Sequence, residues 1–429
     1  MTSISGAAPL AYGRAASPPP PPDATPPDHH PPAERGRWGL ATILLVVGVF
    51  FPLSWNGAVL VPLGVLHFAL LCVILGTDWL LRQRGVHALR LWNSGLIIVT
   101  LVAATIVSPL QDLAIGALAP YAAMATVLCM DLREYRATEA VRRAFVATNA
   151  LAIVAGVMVV IAAGPARDLL VRYYSMAYPE LVSNMTLWRK PVFTFGSHSV
   201  AGFFYYLLFY LNLETYRAER RRTHLVLAVA NCLLGLVLPS MTAGVLMGIA
   251  GVRLLMFGLR RRAAALLLPV GVAAAGLWVL RRLGEEVTLL QGLVLAFSVE
   301  EGGLRSRYSS DGALIGNLAH VMAHPFRPIG LGFNSNLFYG DSGPLEYLLR
   351  GSVLLLLSVY VGLFAFLRAN LVLRRHAVHL FVITLIFEVG FTAMTFGRFL
   401  YFLPFAVIYL NRFASVPRGE PGGLGASGA

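Results

Sequence analysis

Lysine is nearly missing from this 429-residue chain: Lys190 is the only one, and arginine carries the rest of the positive charge. Charge of either sign is scarce. Charged residues make up 13% of the chain against 57% hydrophobic, where a soluble domain carries about a quarter charged, so the composition excludes an ordinary water-soluble domain. Cysteine is limited to Cys72, Cys129 and Cys232, all inside apolar runs, which excludes a disulfide framework and a C-x-x-C metal site. The signatures of soluble chemistry are also missing: no P-loop, no Rossmann glycine pattern, no G-x-S-x-G and no H-E-x-x-H. No metal and no cofactor is expected.

What the chain has instead is long apolar runs. A bilayer-crossing helix needs roughly 20 apolar residues, and about twelve segments approach that length. They lie near residues 38–54, 57–81, 88–110, 113–130, 144–163, 197–213, 224–239, 241–258, 263–280, 346–367, 378–396 and 398–412. No strand-like alternation competes with them. The expected fold is all-α, a polytopic transmembrane helical bundle. Residues 1–37 form a polar, proline-rich tract with Pro18 to Pro22 in series, and residues 413–429 are a glycine-rich tail. Both read as disordered, and no cleavable signal peptide is expected.

The arginines set the orientation. With the N-terminus in the cytoplasm, Arg35 and Arg37, Arg82 and Arg84, the group from Arg133 to Arg143, the stretch Arg217 to Arg222, the triplet Arg260 to Arg262 and the pair Arg374 and Arg375 all fall inside. That is the distribution the positive-inside rule requires. The formal charge of +13 therefore reflects cytoplasmic loops and contact with anionic lipid, not nucleic acid. Both termini are expected in the cytoplasm of a bacterium, with the chain in its inner membrane.

Two long loops remain on the periplasmic side, near residues 164–196 and 281–345. They are basic, and a basic surface beside a membrane suits an anionic ligand, phosphate above all. In the larger loop, Gly312 to Met322 spaces apolar residues as an amphipathic helix along the interface does, with Pro325 ending it. Three stretches there carry candidate chemistry. Trp188 to Gly202 (WRKPVFTFGSHSVAG) offers Arg189 and, entering a span, His198, which is either a packed histidine or the lining of a polar chamber. Leu304 to Gly332 offers Arg305 and Arg307, with Asp311 spaced for an ion pair to Arg307. Asn334 to Gly351 offers Asp341, which has no local partner and suits a general base, and Glu346, whose spacing pairs it with Arg350. Glu388 and Arg398 are ionisable groups inside apolar runs, and pairing across the turn at Thr395 to Gly397 would account for both.

These three stretches, in this order, resemble the O-antigen ligase and polymerase superfamily of bacterial membrane glycosyltransferases. The resemblance spans roughly residues 185–370. It rests on FGSHSVAG (Phe195 to Gly202), on the run from Arg307 through Pro325 to Gly330-Leu331-Gly332, and on Asp341-Ser342 followed by LEYLLRG. It implies a glycosyltransferase fold of the C type and a metal-independent inverting transfer from an undecaprenyl-diphosphate-linked oligosaccharide. Arg189, Arg305 and Arg307 would bind the diphosphate, and Asp341 or His198 would serve as catalytic base. A chain-length regulator and a flippase are candidate partners beside the membrane lipids. Two departures count. Ligases carry a histidine-asparagine pair where this chain has Asp341-Ser342, which favours a polysaccharide polymerase for O-antigen, capsule or exopolysaccharide over a lipid A-core ligase. Relatives often carry an arginine after the serine of Ser240-Met241-Thr242, a diphosphate contact this chain lacks. An acidic pair after the first span, as metal-dependent oligosaccharyltransferases require, has no room in the turn Ser54 to Gly57. Outside the class, a secondary transporter also fits twelve spans, with Glu388 as a proton site, although the chain shows no repeated half.

Overall fold

The structure is a computed structural model that describes residues 46, 49–50, 88–133, 135, 137–161, 168, 190–195, 197–238, 240–258, 307–309 and 312–414. The regular elements among those residues are helices, with no strand among them. In chain order the helices are α1 (Ala88–Val107), α2 (Leu118–Cys129), α3 (Glu139–Val160), α4 (His198–Glu219), α5 (Arg222–Leu236), α6 (Met241–Gly258), α7 (Ile315–Ala323), α8 (Gly343–Asn370), α9 (Arg374–Glu388) and α10 (Gly397–Phe413). The nine expected spans that fall within the described residues each coincide with one of these helices. The runs near 57–81 and 263–280 lie outside them, as does most of 38–54. Three helices, α1, α3 and α8, are long and apolar enough to cross a membrane.

The bundle is built around two helices that are buried on every side. Val200 to Thr215 of α4 and Arg398 to Leu410 of α10 have no exposed residue, the signature of a helix in the centre of a large core. Stacked aromatic rings join them to their neighbours, Phe203 to Phe387 at 4.0 Å between centroids and Phe195 to Phe204 at 4.9 Å. Close helix approach needs small residues: a Cβ on Gly202 of α4 would collide with Ala243 of α6.

Around this centre the outer helices turn apolar faces away from the protein. On α1 the exposed residues include Leu89, Trp92, Leu96, Val99, Val102 and Ile106, which recur three or four apart, with Leu91 and Val107 beside them. α8 does the same with Val353, Leu357, Val361 and Phe364. A water-facing helix shows charges there; a lipid-facing one shows these residues.

Hydrogen bonds and ion pairs among the connections gather several of them at one end of the bundle. At one end Arg90 donates to Met130 O at 2.6 Å, Asn370 donates to the same carbonyl at 3.0 Å, Asn411 accepts from Val372 N–H at 3.0 Å, and Arg142 pairs with Glu219 at 2.7 Å. The arginine-rich turns at 133, 142–143, 217–222 and 374–375 all belong to this end. The opposite end carries His198, Arg307 and Asp341.

At that opposite end α8 is broken. Gly351 (φ −147°, ψ 19°) and Ser352 (φ 60°, ψ −167°) leave helical geometry and free the carbonyls of the preceding turn. Those carbonyls are taken up from outside: Ile329 N–H donates to Leu349 O and Gly330 N–H to Arg350 O, each at 2.9 Å. The Gly330-Leu331-Gly332 turn is wedged between the break and the end of α1, where Leu331 N–H donates to Thr105 Oγ1 at 2.9 Å. Gly330 has φ +55°, and a Cβ there would run into the Thr105 backbone, so glycine is required on two grounds.

Candidate functional site

The amphipathic helix expected over 312–322 is present as α7, Ile315–Ala323, and lies against α8. Asn317 is its only buried residue. It holds the strand of chain leading to Asp341, with Nδ2 donating to Phe338 O at 2.7 Å and Oδ1 accepting from Phe338 N–H at 2.8 Å. Outward, α7 and the turn after it expose Leu318, Met322 and Phe326.

Asp341 lies two residues before α8, and the spacing of Glu346 and Arg350 explains its setting. Glu346 and Arg350 pair, as their one-turn spacing implies, with Nε to Oε1 at 2.6 Å in a buried position. The pair does more than cancel charge. Glu346 Oε2 accepts from Gly340 N–H at 2.9 Å, Arg350 Nη1 donates to Gly330 O at 2.8 Å, and the guanidinium lies 4.7 Å over the Tyr339 ring. Two loops are thereby fixed to one turn of α8. Gly340, at φ +83°, makes the bend that leaves Asp341 outside this buried network.

Asp341 is not without a partner. Arg307 approaches it across 34 residues of sequence, with Nη1 3.5 Å from the Asp341 carbonyl and 3.8 Å from Oδ1. The firmer contact of Arg307 is to Gly390 O at 3.0 Å. Beside it the Tyr308 hydroxyl donates to Val389 O at 2.8 Å. Burial raises the pKa of that phenol, which keeps it a donor. The Arg307 and Asp341 side chains are 39% and 38% exposed. A cation held to a neutral carbonyl, with a loosely placed carboxylate beside it, keeps donors available to an incoming anion.

His198 occupies the first position of α4, behind the cap made by Ser197 Oγ, which accepts from Val200 N–H at 3.3 Å. Its side chain is half-buried. The rest of FGSHSVAG serves packing: Ser199 shares a hydrogen bond of 3.0 Å with Ser240, and Gly202 lets α6 approach. Arg189, Arg305 and Asp311 lie outside the described residues. Of the five candidate site residues, the structure therefore brings Arg307, Asp341 and His198 to one end of the bundle.

Glu388 and Arg398 do not pair with each other. Glu388 Oε1 accepts from Tyr347 OH at 2.7 Å and from Met394 N–H at 2.9 Å. Arg398 turns the other way, donating to Thr194 Oγ1 at 3.2 Å with its guanidinium 5.3 Å from the Phe195 ring centroid. Tyr308 and the carbonyls of Val389 and Gly390 carry no mark in the sequence; only the folded turn makes them part of the site. Among the described residues no group of three or more potential metal ligands assembles.

Comparison with protein-family models, with curated proteins and with solved structures finds no match to this chain.

Proposed function

We propose that this chain is a polysaccharide polymerase of the O-antigen ligase and polymerase type, an inverting membrane glycosyltransferase with about twelve spans and a C-type fold. In this proposal it sits in a bacterial inner membrane with both termini in the cytoplasm and its site facing the periplasm. The observation that carries the proposal is the Arg307–Asp341 pair, 3.8 Å apart and open, at the end of the bundle away from the arginine-rich turns.

The chemistry follows from the charges. Asp341 removes the proton from an acceptor hydroxyl of a carrier-linked repeat, and that oxygen forms a bond to the anomeric carbon of the donor glycan. The bond from that carbon to the undecaprenyl diphosphate breaks, and its electron pair leaves on the diphosphate oxygen. Arg307, with Arg189 and Arg305, offsets the charge that develops there, so guanidinium groups take the place of a metal ion. His198 is the alternative base. Asp341-Ser342 in place of a histidine-asparagine pair favours polymerisation over transfer to lipid A-core. A flippase that delivers the repeats and a chain-length regulator are the proposed partners.

A secondary transporter is the competing class, because a broken helix and a buried carboxylate are features of transporter sites. Here the carbonyls freed by the break of α8 accept from Ile329 and Gly330, and Glu388 accepts from Tyr347 and Met394. The carbonyls and Glu388 Oε1 are thus engaged within the protein. The test is transfer by purified protein in lipid nanodiscs supplied with carrier-linked repeat. Wild type lengthens the carrier-linked glycan, and Arg307→Ala and Asp341→Ala, inserted at normal levels, do not. Equal product from both variants removes the proposed site.

A further inference from the structure

Glu388 has no part in the chemistry above, yet it lies directly beneath the groups that do. It closes α9, is fully buried, and accepts two hydrogen bonds on Oε1, from Tyr347 OH of α8 and from Met394 N–H. Gly343, which opens α8, is what lets the carboxylate come so close: a Cβ there would stand 2.7 Å from Oε2.

The segment that leaves Glu388 holds both halves of the Arg307–Asp341 pair through its main chain. Val389 O accepts from Tyr308 OH and Gly390 O from Arg307 Nη1. Two residues later Thr392 N–H donates to Gly340 O at 2.9 Å. Gly340 immediately precedes Asp341, and its own N–H is held by Glu346. The 389–394 segment thus bridges the cation to the carboxylate. Glu388 stands at one end of this segment in the chain, and its carboxylate holds the other end by the hydrogen bond to Met394 N–H.

We infer that Glu388 is a positioning residue that sets the separation of Arg307 and Asp341 by closing the 389–394 turn on its carboxylate and tying it to Tyr347 of α8. What that pair does rests on the polymerase proposal; the geometry does not. The role needs an acceptor oxygen rather than a charge. Glutamine keeps one oxygen able to receive both hydrogen bonds, whereas alanine leaves Tyr347 OH and Met394 N–H unmet in the interior.

The experiment compares wild type, Glu388→Gln and Glu388→Ala in lipid nanodiscs, reading amide hydrogen exchange over 389–396 together with transfer from carrier-linked repeat. Glu388→Ala should speed exchange at Thr392 and Met394 by about tenfold or more. It should also lower kcat on the order of 100-fold and raise KM, as a misplacement of about 1 Å does, while Glu388→Gln stays within about threefold of wild type in both. Tyr347→Phe removes one of the two hydrogen bonds and should move the same quantities less, which keeps the test open if the alanine variant does not insert. Glutamine as inactive as alanine overturns the inference, because a proton or a charge would then be what matters. Wild-type exchange and turnover in Glu388→Ala overturn it as well. If wild type transfers nothing while Glu388→Ala still frees Thr392 and Met394, the polymerase proposal fails and the positioning of the turn stands.

Discussion

Asn317 closes both ends of its side-chain amide on the main chain of Phe338, giving one hydrogen bond and receiving the other. A single buried side chain of α7 thereby stands in for a strand partner and fixes the loop that carries Asp341. Asn317→Ala removes both hydrogen bonds to the half-exposed Phe338 main chain, at about 0.5–1.5 kcal/mol for each. Asn317→Asp keeps the acceptor and loses the donor. Thermal unfolding in detergent should rank wild type above Asn317→Asp and that above Asn317→Ala; equal midpoints contradict the clamp.

The Glu346–Arg350 pair should cost more to halve than to remove. Either Glu346→Met or Arg350→Met strands a buried charge, at about 3–5 kcal/mol, whereas replacing both removes the stranded charge and recovers part of the loss. The recovery should be incomplete here, because Gly340 N–H and Gly330 O also lose partners. A double-mutant cycle by denaturant unfolding measures this coupling, and additive losses would argue against it.

Two glycines with positive φ separate strain from collision. Gly340→Ala meets no atom within 4 Å and suffers only the left-handed backbone, about 1–2 kcal/mol. Gly330→Ala adds a clash with the Thr105 main chain to the same strain. The second variant should lower the melting temperature clearly more than the first.

Acidification should loosen α7. Burial, and to a lesser extent the charge of His324 with its ring centroid 5.0 Å away, lower the pKa of His320 from 6.5. Below that value the unfolded chain takes up a proton that the folded protein resists, so stability falls as pH drops through this window. The melting temperature should decline from about pH 7.5 to about pH 5.5, and His320→Gln should flatten that decline. Parallel curves for the two proteins contradict the assignment.

Much of this was legible in the sequence, for identifiable reasons. Helix positions follow from long apolar runs, α7 from its amphipathic spacing, and Glu346–Arg350 from a one-turn interval. The contact between Arg307 and Asp341 was not legible, because it joins two loops through turns that have no periodicity. Nor was the break at Gly351-Ser352, where LLRGSVLLLL reads as one continuous span. It exists because Ile329 and Gly330 supply donors to the freed carbonyls. Glu388 and Arg398 look like partners when only their separation is considered, and the fold gives each a closer one.

The proposed polymerase is tested most directly by extracting carrier-linked glycans from a strain that lacks this chain, and from the same strain carrying wild type, Arg307→Ala or Asp341→Ala. Single carrier-linked repeats should accumulate and long chains disappear in the deletion and in both variants, with wild type restoring the chains. Long carrier-linked chains that fail to reach lipid A-core would instead identify a ligase. An unchanged glycan profile in the deletion strain would contradict the proposed function outright.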